Sequence, residues 1–119
     1  MLWWISQQLR MGNAKSRLGV VQKLAQSGTA ETKEVLEFAL HDSSVEVRTA
    51  AVQALGRLKS KTVVEPLMGL LRDPAPEVRA AAAESLGFIG EHQPISALVD
   101  LLRDQVPLVR AAASHALDR

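Results

Sequence analysis

One period governs the whole chain. Asp42, Asp73 and Asp104 lie 31 residues apart, and the same step links Arg17, Arg48, Arg79 and Arg110. It also links Leu24, Leu55, Leu86 and Leu117, then Leu9, Leu40, Leu71 and Leu102, then Ile5, Leu36, Leu67 and Leu98. Self-similarity at such a step marks stacked supersecondary units, each too small to bury its own apolar face and each covered by its neighbours. A chain of 119 residues then forms one domain of about four repeats, near residues 1–28, 29–59, 60–90 and 91–119, or a piece of a longer array.

Within each period two helical patterns alternate with two short turns. Val64, Leu67, Leu70 and Leu71 follow helical spacing, as do Leu36, Ala39 and Leu40, and these mark the first helix of a repeat. Val47, Ala51, Ala54, Leu55 and Leu58, like Val78, Ala82, Leu86 and Ile89, mark the second. The expected spans are 2–10, 14–27, 32–41, 45–59, 63–72, 76–90, 94–103 and 107–118. Pro76 and Pro107 share one repeat column, and Pro94 stands where a first helix should begin; proline suits the first helical position because that amide has no intrahelical partner. Pro66 must therefore lie in a first turn. Asn13 and Ser44 are good N-caps, whereas Ala75 and Val106 at the equivalent position are not, so Asp73 and Asp104 are expected to accept bonds from free amides there. The runs Ala80–Ala83 and Ala111–Ala113 place alanine on every helix face, as close packing on both sides requires.

Composition excludes several kinds of work. Cysteine is absent, which removes disulfides, thiolate metal sites and cysteine nucleophiles together. The apolar run Leu2-Trp3-Trp4-Ile5 is too short for a signal peptide, and no apolar run reaches the roughly 18 residues that span a bilayer. These features predict a soluble, cytoplasmic protein without a membrane span. Residues 1–28 carry Arg10, Lys15, Arg17 and Lys23 and no acid. A basic end beside Trp3 and Trp4 could meet a membrane surface or nucleic acid, but four spread charges fit a solvated first repeat better than a phosphate-binding cluster.

The segment from Asp42 to Gly56, DSSVEVRTAAVQALG, and its counterpart from Asp73 to Gly87 resemble HEAT repeats, particularly the short bacterial kind also found in phycobilisome lyases. The resemblance covers essentially the whole chain. Repeat four keeps Asp104, Val109, Arg110 and Leu117; repeat one has Met11 and Ser16 where the others have aspartate and valine, as befits an atypical terminal repeat. The resemblance implies an all-α, right-handed α-α superhelix. It also implies that Asp42, Asp73 and Asp104 with Arg48, Arg79 and Arg110 form a structural ladder in the turns, since a carboxylate at a helix start and a guanidinium one to two turns on can satisfy each other and nearby backbone.

HEAT-like stacks present their second helices as a concave surface, so the resemblance points to a protein-interaction scaffold. Gln22, Glu46, Gln53, Arg57, Glu77, Glu84, Phe88 and His115 are the expected outward positions, with Phe88 the natural anchor unless it packs on the next helix pair. Nucleic-acid binding is disfavoured by Glu46, Glu77 and Glu84 on the same surface. An enzymatic reading, as a bilin lyase-like subunit, a chaperone of a HEAT-type enzyme or an iron hydroxylase of this fold, needs residues that the chain lacks: His41, His92 and His115 are scattered, and Glu91-His92 reverses the hydroxylases' His-Glu order. All three histidines read as surface residues. No metal, cofactor or catalytic group is expected. The final helix resembles an interior one and is expected to expose Leu108, Ala112 and Leu117, offering a C-terminal edge for self-association.

Overall fold

The computed structural model describes every residue except 1, 29 and 91–93, together with the side chains of all but residues 2–4, 6, 8 and 30 among those described. Eight α-helices form four pairs among the described residues: α1 (Leu2–Met11) and α2 (Ala14–Leu24), α3 (Ala30–Ala39) and α4 (Val45–Arg57), α5 (Val64–Gly69) and α6 (Pro76–Ile89), α7 (Ile95–Leu101) and α8 (Pro107–Leu117). No strand occurs among them. Pairs stack in sequence order into an elongated body with extents of 40 × 26 × 17 Å.

A single core runs the length of the stack between the two helix layers. Leu36, Leu67 and Leu98 from the first helices meet Val47, Leu55, Val78, Leu86 and Val109 from the second, all essentially inaccessible to water. Ala80 to Ala83 are all buried, so the alanine run is the solution to a helix with neighbours on three sides.

The second helices α2, α4, α6 and α8 form a continuous row, each packed on the next more extensively than the first helices are. Glycine makes this possible. A methyl group on Gly56 would stand 2.5 Å from Cβ of Ser85, and one on Gly87 would stand 2.9 Å from Cα of Ala116. The second-helix layer is therefore packed more closely than the first-helix layer, and it is the layer that the HEAT resemblance expects on the inner side.

Several boundaries differ from the expected ones, for local reasons. The last turn after α2 tightens, with Gln26 N–H donating to Lys23 C=O and Ser27 N–H to Leu24 C=O, so the α-helix stops at Leu24. The first helix of repeat three is an α-helix of six residues between 3₁₀ turns at Lys61–Val63 and Leu70–Arg72. Pro66 falls in its first turn, where no helical bond is lost. Pro94 takes the N-cap rather than the first helical position. Asn13 and Ser44 cap as expected, accepting from Ser16 N–H (2.8 Å) and Val47 N–H (3.4 Å). Asp73 and Asp104 do not cap free helix amides. Each accepts at 2.9 Å from the amide two residues on, Ala75 or Val106, as Asp42 does from Ser44, fixing the turn before the helix.

Another column shapes the turns between repeats. Gly28, Lys59 and Gly90 follow successive second helices at the 31-residue step, and all three have positive φ, at 72°, 52° and 77°. Glycine is at ease in that conformation, whereas Lys59 is strained by its Cβ.

Candidate functional site

The repeated charges build a spine through the turns. Arg48 donates Nε–H to Asp73 Oδ2 (2.9 Å) and Nη2–H to Asp73 Oδ1 (3.1 Å), while its Nη1–H goes back to Asp42 C=O (2.8 Å). Arg79 repeats the geometry with Asp104 (3.0 and 3.1 Å) and Asp73 C=O (2.8 Å). Arg17 does the same with Asp42 (2.7 and 3.1 Å) and Gly12 C=O. Each arginine therefore clamps the carboxylate of the following repeat, and reaches only the backbone of its own.

This changes the expected register. Asp and Arg of one repeat do not form the ion pair; the rungs join residues 25 apart. Arg17 belongs to the ladder, although repeat one has no aspartate. Arg110 keeps only the backbone half, donating Nη1–H to Asp104 C=O (2.7 Å). The guanidinium of Arg79, then the amide of Val106, hold the Asp104 carboxyl below the usual carboxylate range. Such bidentate, largely shielded pairs lock one repeat's angle to the next. Their spacing follows the repeat and does not converge on one site.

The residues expected to meet a partner all stand exposed on the second-helix layer: Gln22 on α2, Glu46, Gln53 and Arg57 on α4, Glu77, Glu84 and Phe88 on α6, and His115 on α8. Only part of the set converges. Gln53, Arg57, Glu84 and Phe88 line one cavity of about 320 Å³ between α4 and α6, whose floor is Ala81 and Ser85 and whose end is Lys59. Gln22, Glu46, Glu77 and His115 lie outside it. Phe88 remains 37% exposed, and the guanidinium of Arg119 sits 4.3 Å from its ring centroid. Its ring is thus neither free nor buried: one face carries a cation, a contact worth roughly 0.5–1 kcal/mol at an exposed site. Arg57, Phe88 and Arg119 occupy one repeat column, the signal in the sequence that places them in line.

Glu46 accepts from the Ser44 hydroxyl (2.9 Å); its own backbone amide first, and then that hydroxyl, lower its pKa. The acids Glu46 and Glu77 thus mark the helix starts and Arg57 and Arg119 the helix ends, as the helix dipoles favour. His41 and His115 are exposed, and His92 and the side chains of Trp3 and Trp4 lie outside the described residues. Among the described residues no three His, Asp or Glu side chains converge as a metal site would require. No helix among them is long and apolar enough to cross a membrane.

Helix pairs stacked at a fixed step, locked by inter-repeat carboxylate–guanidinium rungs, define an α-helical solenoid. The chain belongs to the HEAT repeat family: the family profile, described as HEAT repeats, matches residues 4–61 and 32–118. No curated protein sequence matches it. Among solved structures it is similar to human deoxyhypusine hydroxylase in complex with glycerol, with a TM-score of 0.85, 26% identity, and 99% of this chain and 42% of that one covered. It is also similar to an engineered protein (TM-score 0.66, 21% identity, 98% and 60% covered). A third is the complex of CpcE and CpcF of phycocyanin lyase from Nostoc sp. PCC7120 (TM-score 0.66, 20% identity, 98% and 64% covered). The chain spans less than two thirds of the length of each.

Proposed function

We propose that this chain is a non-catalytic scaffold that takes a protein partner on the inner face formed by α2, α4, α6 and α8. The observation that supports the reading is the cavity between α4 and α6, where an exposed aromatic ring, two cations and an acid surround a small-residue floor. Aromatic and arginine side chains at a concave surface are the residues that most often anchor an interface. The inner face holds Glu46, Glu77 and Glu84 beside its cations, which suits a polypeptide better than a phosphate backbone. The scattered histidines favour binding over iron chemistry, despite the fold shared with a hydroxylase. The likeness to the complex of CpcE and CpcF of phycocyanin lyase supports the alternative reading, a bilin lyase-like subunit or a chaperone of a HEAT-type enzyme. The uncovered face of repeat four offers a second surface, for self-association.

Affinity capture from the source cells tests the main reading. Proteins retained on the wild-type chain should be lost from Phe88→Ala/Arg57→Ala and kept by Arg103→Ala, whose side chain is exposed elsewhere. Equal retention by all three would refute the inner-face site, and a stoichiometric iron or bilin in the purified protein would favour the enzymatic class.

A further inference from the structure

Two exposed charges, Lys23 in repeat one and Asp118 in repeat four, stand in columns that carry small residues everywhere else. Inside the stack, the face that each second helix turns to the next repeat meets a position 29 residues further on: Gly56 against Ser85 and Gly87 against Ala116. Ser85 Oγ–H also donates back to Val52 C=O at 3.1 Å. Both sides of this contact are small in the interior. The columns are Ala25, Gly56, Gly87 and Asp118 on one side, and Lys23, Ala54, Ser85 and Ala116 on the other. The charged members, Asp118 and Lys23, belong to repeats four and one, the last and first of the stack, and both are exposed. Advancing from Asp118 by the same 29 residues, with a second copy continuing the 31-residue period, lands on Lys23 of that copy.

We propose that this chain associates head to tail with a second copy of itself, the α8 face of one copy seated on the α2 face of the next, with Asp118 paired to Lys23 across the junction. The remaining surfaces fit that occupant. On the α8 side, Leu102 is 40% exposed where its counterparts Leu71 and Leu40 are 4% and 1%. Ala111 and Ser114 are likewise exposed where Ala80 and Ala83 are buried. On the α2 side, Ile5, Gly19, Val20 and Leu24 line an apolar groove of about 470 Å³ with Lys23 at its rim. Ser114 holds the column of Val52, so its carbonyl gives the Lys23 ammonium a second acceptor where an interior repeat uses the Ser85 hydroxyl. An aspartate and a lysine need more room than a glycine and a serine, so the junction is more open than an interior one. It also lacks a ladder rung, because Met11 of the next copy occupies the place where Arg110 would find an aspartate. The result is reversible, salt-sensitive stacking. Because the two surfaces differ, the contact is heterologous and builds rings or open chains, not a two-fold dimer.

Light scattering and sedimentation velocity across a concentration series of the 119-residue protein test this directly. Mass should rise with concentration past the dimer and fall in 0.5 M salt. Lys23→Asp and Asp118→Lys should each weaken association about tenfold or more; mixing the two variants, or combining both changes in one chain, should restore it. Circular dichroism and melting of each variant establish that the exposed substitutions leave the fold intact. A strict monomer at every concentration, a plateau at dimer, single variants that associate like wild type, or a mixture that fails to recover would each overturn the proposal. Phe88→Ala should leave the stacking unchanged, which separates this outcome from that of inner-face binding.

Discussion

Replacing glycine by alanine should have opposite signs at two positions of this protein, and the structure sets both magnitudes. In a helix interior alanine is favoured over glycine by about 1 kcal/mol. At Gly19 in α2 an added methyl meets nothing within 4 Å, so Gly19→Ala should stabilise by roughly 0.5–1 kcal/mol. At Gly56 the methyl would stand 2.5 Å from both Cβ and Oγ of Ser85 and 3.0 Å from its Cα. Backbone lies behind the side chain, so α6 must retreat by about 1 Å to restore ordinary contact, at a cost of roughly 1–3 kcal/mol in lost packing. The same retreat breaks the bond from Ser85 Oγ–H to Val52 C=O and leaves a buried hydroxyl unsatisfied, about 1 kcal/mol more. Set against the gain in helix propensity, Gly56→Ala should destabilise by about 2 kcal/mol, or roughly 8 °C in melting temperature at this chain length. Gly87→Ala should fall between the two, because it presses on the outermost helix, α8, which has no neighbour on its far side among the described residues. Thermal and urea denaturation of the three variants measure the order. A stabilised Gly56→Ala would refute the idea that glycine sets the spacing of the inner helix row.

Other perturbations probe the ladder and the turns. Arg79→Ala should lose about 2 kcal/mol, since it strips a shielded Asp104 of both side-chain bonds, while Arg103→Ala, an exposed charge, should lose under about 0.5; equal urea midpoints would count against the rung. The Asp104 pKa is lowered by the Arg79 bond, so that rung's contribution is complete above about pH 5 and fades as pH falls below the unfolded carboxylate value near 4. The gap between wild type and Arg79→Ala should accordingly narrow between pH 7 and pH 3, and a constant gap would contradict the assignment. Lys59→Gly should stabilise by about 0.5–1 kcal/mol, because it relieves a side chain held at φ 52° in a column that otherwise carries glycine; a lower melting temperature would mean that the lysine side chain contributes more than its backbone costs.

What could be read from the sequence follows from what a period can encode. A repeated Leu, Val and Ala pattern fixes which side of each helix is buried, because every copy faces the same problem and solves it with the same residues. The stack and its helix pairs were therefore legible. Helix ends were not: whether Leu24 or Ser27 closes α2 depends on a last turn tightening to 3₁₀ geometry, which costs little either way. The ladder shows a deeper limit. A period states that an arginine and an aspartate recur, but Arg48 is six residues past Asp42 and 25 residues before Asp73, and periodicity is indifferent between them. The structure resolves the choice by giving the backbone carbonyl of Asp42 to Nη1 and the carboxylate of Asp73 to Nε and Nη2. One clue was present in repeat one, which has Arg17 without an aspartate of its own: a conformation built on pairs within a repeat would leave that arginine idle, whereas pairing forward gives it Asp42. The same logic transfers to the ends of the stack, where departures from the period carry the information that the period itself cannot. Lys23 and Asp118 break columns of small residues, and Met11 breaks the aspartate column. The interior columns describe how repeats hold each other, so the residues that depart from them are the ones on which the proposed head-to-tail register turns.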